Sequence, residues 1–321
     1  MSSVEMVHAA AVRLKPVVRT TPMLTSPFLD EIAGRRVLVK AECLQHTGSF
    51  KFRGAYSALS AMPDIPGVIA FSSGNHAQGI AMAAKMHGIP AVILMPSDAP
   101  TLKIENTKAL GAEVVTYDRS TGDRDAIGEA LAEERGLTLV RPFDEPLVIA
   151  GQGTTGLEIA AQAADLGVIS GDILVPCGGG GLTSGVSLAV SDVAPNLRVR
   201  PCEPEDFDDA TRSLLAGEHR SNTRLSGSIC DAIITPSPGK ITLPIMLKNC
   251  GPGLVVTEDQ CMQAMALAYK RLKIVLEPGG AVALAAALFY GDQIEGDAVI
   301  CIASGGNVDH AIFQRALMLH P

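Results

Sequence analysis

The feature that most constrains this chain is a repeated local order: a short β-branched run, a Gly-rich or polar loop, then an Ala-rich stretch. Residues 67–96, GVIAFSSGNHAQGIAMAAKMHGIPAVILMP, give strand, loop, helix and strand in succession, and residues 171–190, GDILVPCGGGGLTSGVSLAV, give strand, loop and helix. That alternation builds parallel βαβ units, because parallel neighbours need a long crossover and a helix packed on the sheet supplies it. The expected class is α/β. No solenoid-length repeat or low-complexity tract interrupts the pattern, so the lobes are expected to pack continuously.

With 321 residues, 47% of them hydrophobic, the chain can bury a large core and divide into two lobes. Its 26 basic side chains against 34 acidic ones give a net charge of -8, with no Lys/Arg block, which argues against a nucleic-acid partner. Seven cysteines, at 43, 177, 202, 230, 250, 261 and 301, form no Cys-x-x-Cys pair, so neither a zinc cluster nor a disulfide framework is expected. No basic n-region and apolar h-region open the chain, and GGAVALAAALFYG falls short of the roughly 20 residues of a membrane span. A soluble, unexported, cytoplasmic protein with no membrane partner is the expectation. In EDQCMQAMALAYKRLKIVL, Met262, Met265, Ala266 and Tyr269 fall at helical spacing and read as core packing.

Four short segments carry chemistry. In QHTGSFKFRGAY (45–56), Ser49 suits an N-cap and Phe52, Ala55, Tyr56 and Leu59 recur at helical spacing, so a helix is expected to start near Phe50. Lys51 then faces the positive end of the helix dipole, which suits an amine that must be neutral and accessible, as a Schiff-base lysine must. Taken alone it also reads as an ordinary solvated lysine. CGGGGL (177–182), between a strand and a helix, can turn successive N–H groups onto a phosphate; it matches neither GxGxxG nor a P-loop, and a plain tight turn is its other reading.

SSGNHAQG (72–79) offers Ser72, Ser73 and Asn75 at a helix start, suited to a carboxylate or a ring oxygen, while His76 reads more as a hydrogen-bonding scaffold than as a base. CIASGGNVD (301–309) runs a strand into Ser304 and two glycines, by itself a turn. The three loops and Lys51 converge if the strands share sheets, since ligands gather beyond the carboxyl ends of parallel strands.

Together TGSFKFRGAY, SSGNHAQG, CGGGGL and ASGGNVD resemble, in family order, the fold type II pyridoxal-phosphate enzymes, specifically the threonine/serine dehydratase and serine racemase family, with hydroxyaspartate dehydratases as close relatives. The likeness runs from about RTTPML (19–24) to SGGNVD. It implies two open twisted, mostly parallel sheets with the active site between the lobes: a large cofactor-binding domain from residues 1–65 and 145–321, and a small domain from 66–144.

It further implies that Lys51 bonds covalently to the cofactor aldehyde, Phe50 lies against the ring and Asn75 bonds the 3-hydroxyl. Gly178, Gly179, Gly180, Gly181 and the Leu182 N–H hold the phosphate, and Ser304 bonds the pyridine nitrogen. A neutral hydroxyl there leaves a weaker electron sink than a paired carboxylate, which suits β-elimination. The freed Lys51 takes the Cα proton, and the β-hydroxyl leaves with a proton from the cofactor phosphate or a nearby acid. Glu277, in VLEPGGAV, matches a glutamate near the ring, and a buried structural carboxylate is its other reading. CEPEDFDDA (202–210) resembles a divalent-cation loop, with Glu203, the Phe207 carbonyl and Asp209 on Mg²⁺ or Ca²⁺, and otherwise reads as an acidic surface turn.

Two positions depart from a plain threonine dehydratase. Ser73 stands where many of those enzymes have alanine; in serine racemases that serine is the acid/base opposite the lysine, and hydroxyaspartate dehydratases share it. Arg124, in STGDRDAIGEA, stands where racemases and hydroxyaspartate dehydratases grip a second carboxylate, although a solvated helix charge is its other reading. RPFDEPLVIAGQGT (141–154) instead resembles the threonine dehydratase segment.

The implied reaction is dehydration and deamination of a 3-hydroxy amino acid, L-threonine or L-serine, to a 2-oxo acid and ammonia. L-threo-3-hydroxyaspartate dehydratase and serine racemase activity are the alternatives within the class, and a non-catalytic ligand-binding homologue the alternative outside it. Ser72, Ser73, Asn75, His76 and Arg124 are the expected substrate contacts. A homodimer is the expected assembly.

Overall fold

The β-branched runs become ten strands among the described residues (2–62, 64–72, 74–99, 101–118 and 123–321) of a computed structural model. They are β1 (Met23–Thr25), β2 (Arg36–Lys40), β3 (Val68–Phe71), β4 (Ala91–Pro96), β5 (Glu113–Tyr117), β6 (Thr138–Leu139), β7 (Gly171–Pro176), β8 (Leu197–Pro204), β9 (Leu254–Val256) and β10 (Ala298–Ile302). One sheet has the order β1-β2-β10-β7-β8-β9 and the other β5-β4-β3-β6. Only β1 runs antiparallel to its neighbour. The central strands β3, β4 and β10 are buried along their whole length, as strands covered by helices on both faces must be.

Both sheets reverse direction once. From β3 the smaller sheet grows outward through β4 and β5, then places β6 on the other side of β3; from β7 the larger grows through β8 and β9, then places β10 on the other side of β7. Such reversals open a crevice at the strands' carboxyl ends, because the connections on either side run away from each other. SSGNHAQG follows β3, CGGGGL follows β7 and the Ser304 turn follows β10, so three of the four motifs sit at these two crevices.

The fourth motif begins the helix Lys51–Ser60, whose Phe52, Ala55, Ala58 and Leu59 pack into the core of the smaller sheet. Its cap departs from expectation. Phe50 takes the N-cap position, whereas Ser49 is buried in extended backbone and bridges Gly305, which draws it away from the helix start. Behind this helix, buried Arg53 bonds Glu42 (2.8 Å) and Glu158 (2.7 Å), and Lys40 bonds Glu158 (2.6 Å). Two cations are thereby matched by two carboxylates, the condition under which buried charges are tolerated.

The most apolar stretch forms the helix Pro278–Phe289, buried from Pro278 to Leu288, as a helix apolar on all sides must be. No described helix is long and apolar enough to cross a membrane. Helix Glu258–Leu267 starts with a capping box between Thr257 and Gln260 and buries Met262, Met265 and Ala266. Tyr269 is not part of that buried stripe: the chain winds into a π-turn at Ala268–Leu272, which shifts the periodicity, and the ring is 46% exposed, edge-on to Phe313. None of the seven cysteines is in a disulfide.

Candidate active site

A cavity of about 500 Å³ lies between the sheets. Its wall gathers Phe50 and Lys51; Ser72, Asn75 and His76; Arg124; Gly178, Gly179, Gly180, Gly181 and Leu182; Glu277; and Ser304. These positions span some 250 residues of sequence and come together because each follows the carboxyl end of a parallel strand or starts a helix beside one. Ser73 lies outside the described residues.

Lys51 is the first residue of its helix and donates to the Pro142 carbonyl at 2.9 Å, with its nitrogen 5.2 Å from the centre of the Phe50 ring. Burial brings its pKa down to about 8, against a partial opposing pull from Glu277. That lowering favours the neutral form, the state in which an amine attacks an aldehyde.

The glycine run forms a fixed concave turn. Gly180 has φ +87, a conformation that L side chains rarely adopt, and a Cβ on Gly179 would overlap the Phe143 ring. The Gly179 carbonyl accepts from Thr242 Oγ1 at 2.6 Å and from the Gly239 N–H at 3.1 Å, and Asp144 accepts the Lys240 and Ile241 N–H groups at 3.1 and 2.8 Å. Directly after it the helix Gly181–Val193 presents its unpaired N–H groups and the positive end of its dipole. This arrangement can hold a phosphate without a charged side chain.

Asn75 starts the helix Asn75–His87 and donates to Glu277 Oε1 at 2.6 Å, while its oxygen accepts from Asn307 at 2.7 Å. Burial pushes the Glu277 carboxyl up to about 7, the Asn75 bond and the charges of Lys103 and Lys51 opposing it and Asp231 adding to it. Ser304 is buried, and its carbonyl accepts from the Phe50 N–H at 3.0 Å, so the residue beside Lys51 and the turn after β10 are joined directly. His76 is buried, its Nε2 is 3.0 Å from the Val140 carbonyl, and burial followed by the Lys51 charge brings its pKa down to about 3. A ring that stays neutral and bonds the backbone is a scaffold.

The guanidinium of Arg124 sits 4.7 Å from the centre of the Phe71 ring and 3.2 Å from Asp125. It is half exposed at the rim of the cavity. Glu203, Phe207 and Asp209 are not in the cavity wall. Glu203 is the last residue but one of β8 and accepts from the Ala210 and Thr211 N–H groups and the Thr211 hydroxyl, and Asp209 Oδ1 accepts from Asn222. Among the described residues, no three His, Cys, Asp or Glu side chains gather as a metal cluster.

The cavity also includes residues that sequence reasoning passed over: Phe143, which fills the space opened by the glycines, Asn307, which fixes Asn75, and Lys103 and Asp231, which form an ion pair at its edge. Asn307 lies inside a recognised motif and was within reach. Phe143 lies in RPFDEPLVIAGQGT, where no spacing singles out the ring, and Lys103 and Asp231 lie in segments whose composition resembles any surface helix or loop.

The pyridoxal-phosphate dependent enzyme family model matches residues 14–305. The chain is 42% identical to an L-threo-3-hydroxyaspartate ammonia-lyase of a Pseudomonas species, over 96% of each chain. It is 36% identical to a serine racemase of Oryza sativa, over 98% of this chain and 94% of that one. Among solved structures it is similar to a threonine deaminase of T.th., with a TM-score of 0.91 and 45% identity over 96% of this chain and 99% of that one. Maize serine racemase aligns with a TM-score of 0.91 at 35% identity, over 99% of this chain and 98% of that one. With its fold, its motifs and these relatives in agreement, the chain belongs to the fold type II pyridoxal-phosphate enzymes, in the family of serine/threonine dehydratases, serine racemases and hydroxyaspartate ammonia-lyases.

Proposed function

We propose that this protein is an ammonia-lyase that removes water and then ammonia from a 3-hydroxy amino acid, and that L-threo-3-hydroxyaspartate is the substrate its cavity suits best. The observation that carries the substrate reading is Arg124 at the cavity rim, held over Phe71, where a fork of N–H donors can meet a second carboxylate. Two hydroxyaspartate ammonia-lyases, at 42% and 40% identity, support it. L-serine and L-threonine remain a second reading, favoured by the 45% identity to a threonine deaminase.

The cofactor fits on two observations: a half-buried lysine brought down to about 8, and a turn whose glycines leave no room for side chains. When bound, pyridoxal phosphate supplies an aldehyde for the substrate amine and a ring that withdraws electrons from Cα. Gly178 to Gly181 and the Leu182 N–H hold its phosphate, Phe50 flanks its ring, Asn75 meets its 3-hydroxyl and Ser304 its ring nitrogen. The start of the helix Asn75–His87, with Ser72, binds the α-carboxylate, and Arg124 the second one. The Lys51 amine would be the base that takes the Cα proton at its nitrogen. Loss of the β-hydroxyl as water, followed by hydrolysis, gives the 2-oxo acid and ammonia. Ser73 is the residue to which any racemase activity belongs, on the strength of the resemblance.

The divalent cation also fits a local observation. Burial pushes Glu203 up to about 8 and Asp209 up to about 7, and Asp209 Oδ2 is buried without a hydrogen-bond partner. Two buried carboxylates, joined by the Phe207 carbonyl on the strength of the resemblance, would be hard ligands for Mg²⁺ or Ca²⁺. The role assigned to the ion is structural.

The test is a panel of L-serine, L-threonine and both hydroxyaspartate diastereomers, assayed for oxo acid, ammonia and product chirality with wild type, Arg124→Met and Ser73→Ala. A kcat/KM for L-threo-3-hydroxyaspartate that falls about 10- to 100-fold in Arg124→Met, with a smaller change for L-serine, is expected. Equal losses on both substrates would transfer the reading to the neutral hydroxy amino acids, and D-serine formation lost in Ser73→Ala would mark a racemase.

A further inference from the structure

Lys103 stands in the first turn of the helix Thr101–Ala109, where the helix dipole disfavours a cation and the turn itself carries no acidic residue. Its Nζ is 3.3 Å from Asp231 Oδ2, which approaches from the side of the larger sheet. That is long for a charge-assisted bond, and Asp231's side chain is 64% exposed, so the pair is weak and easily exchanged. Both residues line the main cavity and also a second chamber of about 360 Å³, so the pair stands where the two spaces meet. The other lysine of the cavity, Lys51, is committed to the cofactor, which leaves Lys103 and Arg124 as the wall's cations for a ligand among the described residues.

We propose that Lys103 is a receptor for the substrate's second carboxylate, kept in place by Asp231 until a two-carboxylate ligand takes over the bond. A monocarboxylate has a single anionic group to offer; held at the start of the helix Asn75–His87, it leaves the ion pair closed. A dicarboxylate exchanges one carboxylate for another at Lys103, with no charge left unpaired in the wall, because Asp231 is released toward solvent. Selectivity then comes from Lys103 together with Arg124. This inference rests on the two-carboxylate reading of the cavity.

The experiment is calorimetric titration of the holoenzyme with succinate and with propionate, in wild type, Lys103→Met, Asp231→Asn, the double variant and Arg124→Met. Wild type is expected to bind succinate about tenfold more tightly than propionate. Lys103→Met should lose most of that preference, and Asp231→Asn should strengthen succinate several-fold only while Lys103 is present. If Lys103→Met weakens both ligands equally or neither, or if Asp231→Asn acts the same in the double variant, the inference is overturned. Succinate preference lost in Arg124→Met but kept in Lys103→Met overturns it while sparing the substrate reading. No preference in wild type overturns both, and a preference that depends on Lys103 but not on Arg124 upholds the inference against the role given to Arg124.

Discussion

Asn75 donates to Glu277 Oε1 at 2.6 Å, which joins the loop after β3 to the residue preceding the helix Pro278–Phe289. One amide thus spans the cleft between the two sheets and holds a buried carboxylate whose pKa is pushed from 4.5 to about 7 by burial. Asn75 is the group that bonds it, and Asp231, Lys103 and Lys51 are the charges that act on it.

The raised pKa has a consequence for the stability of the cofactor-free protein. Because the folded state holds this proton more tightly than the unfolded chain, the stability it contributes is complete below pH 4.5 and is lost as pH rises through about 7. Glu277→Gln keeps an acceptor for Asn75 and has no such proton to lose. Its stability relative to wild type should therefore rise between pH 5 and 8 by roughly 3 kcal/mol, read by urea unfolding at each pH.

The Gly179–Phe143 contact makes a paired prediction. Gly179→Ala puts a methyl into the Phe143 ring, costing about 1–3 kcal/mol and weakening pyridoxal-phosphate binding at least tenfold. Adding Phe143→Ala removes the overlap. Thermal unfolding and cofactor titration of the double variant should lie closer to wild type than the sum of the single changes, and strict additivity would mean the ring does not shape the turn.

For the cation, Mg²⁺ or Ca²⁺ should raise the melting temperature of the wild-type protein by several degrees, since a ligand of the folded state stabilises it by mass action. Asp209→Asn, which alters the carboxylate bearing the unpartnered oxygen, should abolish most of that rise. An equal rise in the variant would mean that the ion binds elsewhere.

Much of this was legible in the sequence, and the boundary of legibility is physical. Strand–loop–helix order is local, so the α/β class, the glycine turn and the position of Lys51 at a helix start follow from neighbouring residues. The Ser49 cap failed because a long-range bridge to Gly305 outweighs a local hydroxyl preference. The Tyr269 stripe failed because one π-turn shifts the helical period. Lys103 and Asp231 are separated by 128 residues in sequence, and no motif marks either; only the fold brings the two charges together.

The most direct test of the central claim is borohydride reduction of the holoenzyme followed by peptide mapping. The account predicts that the cofactor's visible absorbance is lost and that a pyridoxyl group is fixed on the peptide containing Lys51, with Lys51→Ala taking up no label and showing no elimination. A label on another lysine, or elimination that persists in Lys51→Ala, would contradict it.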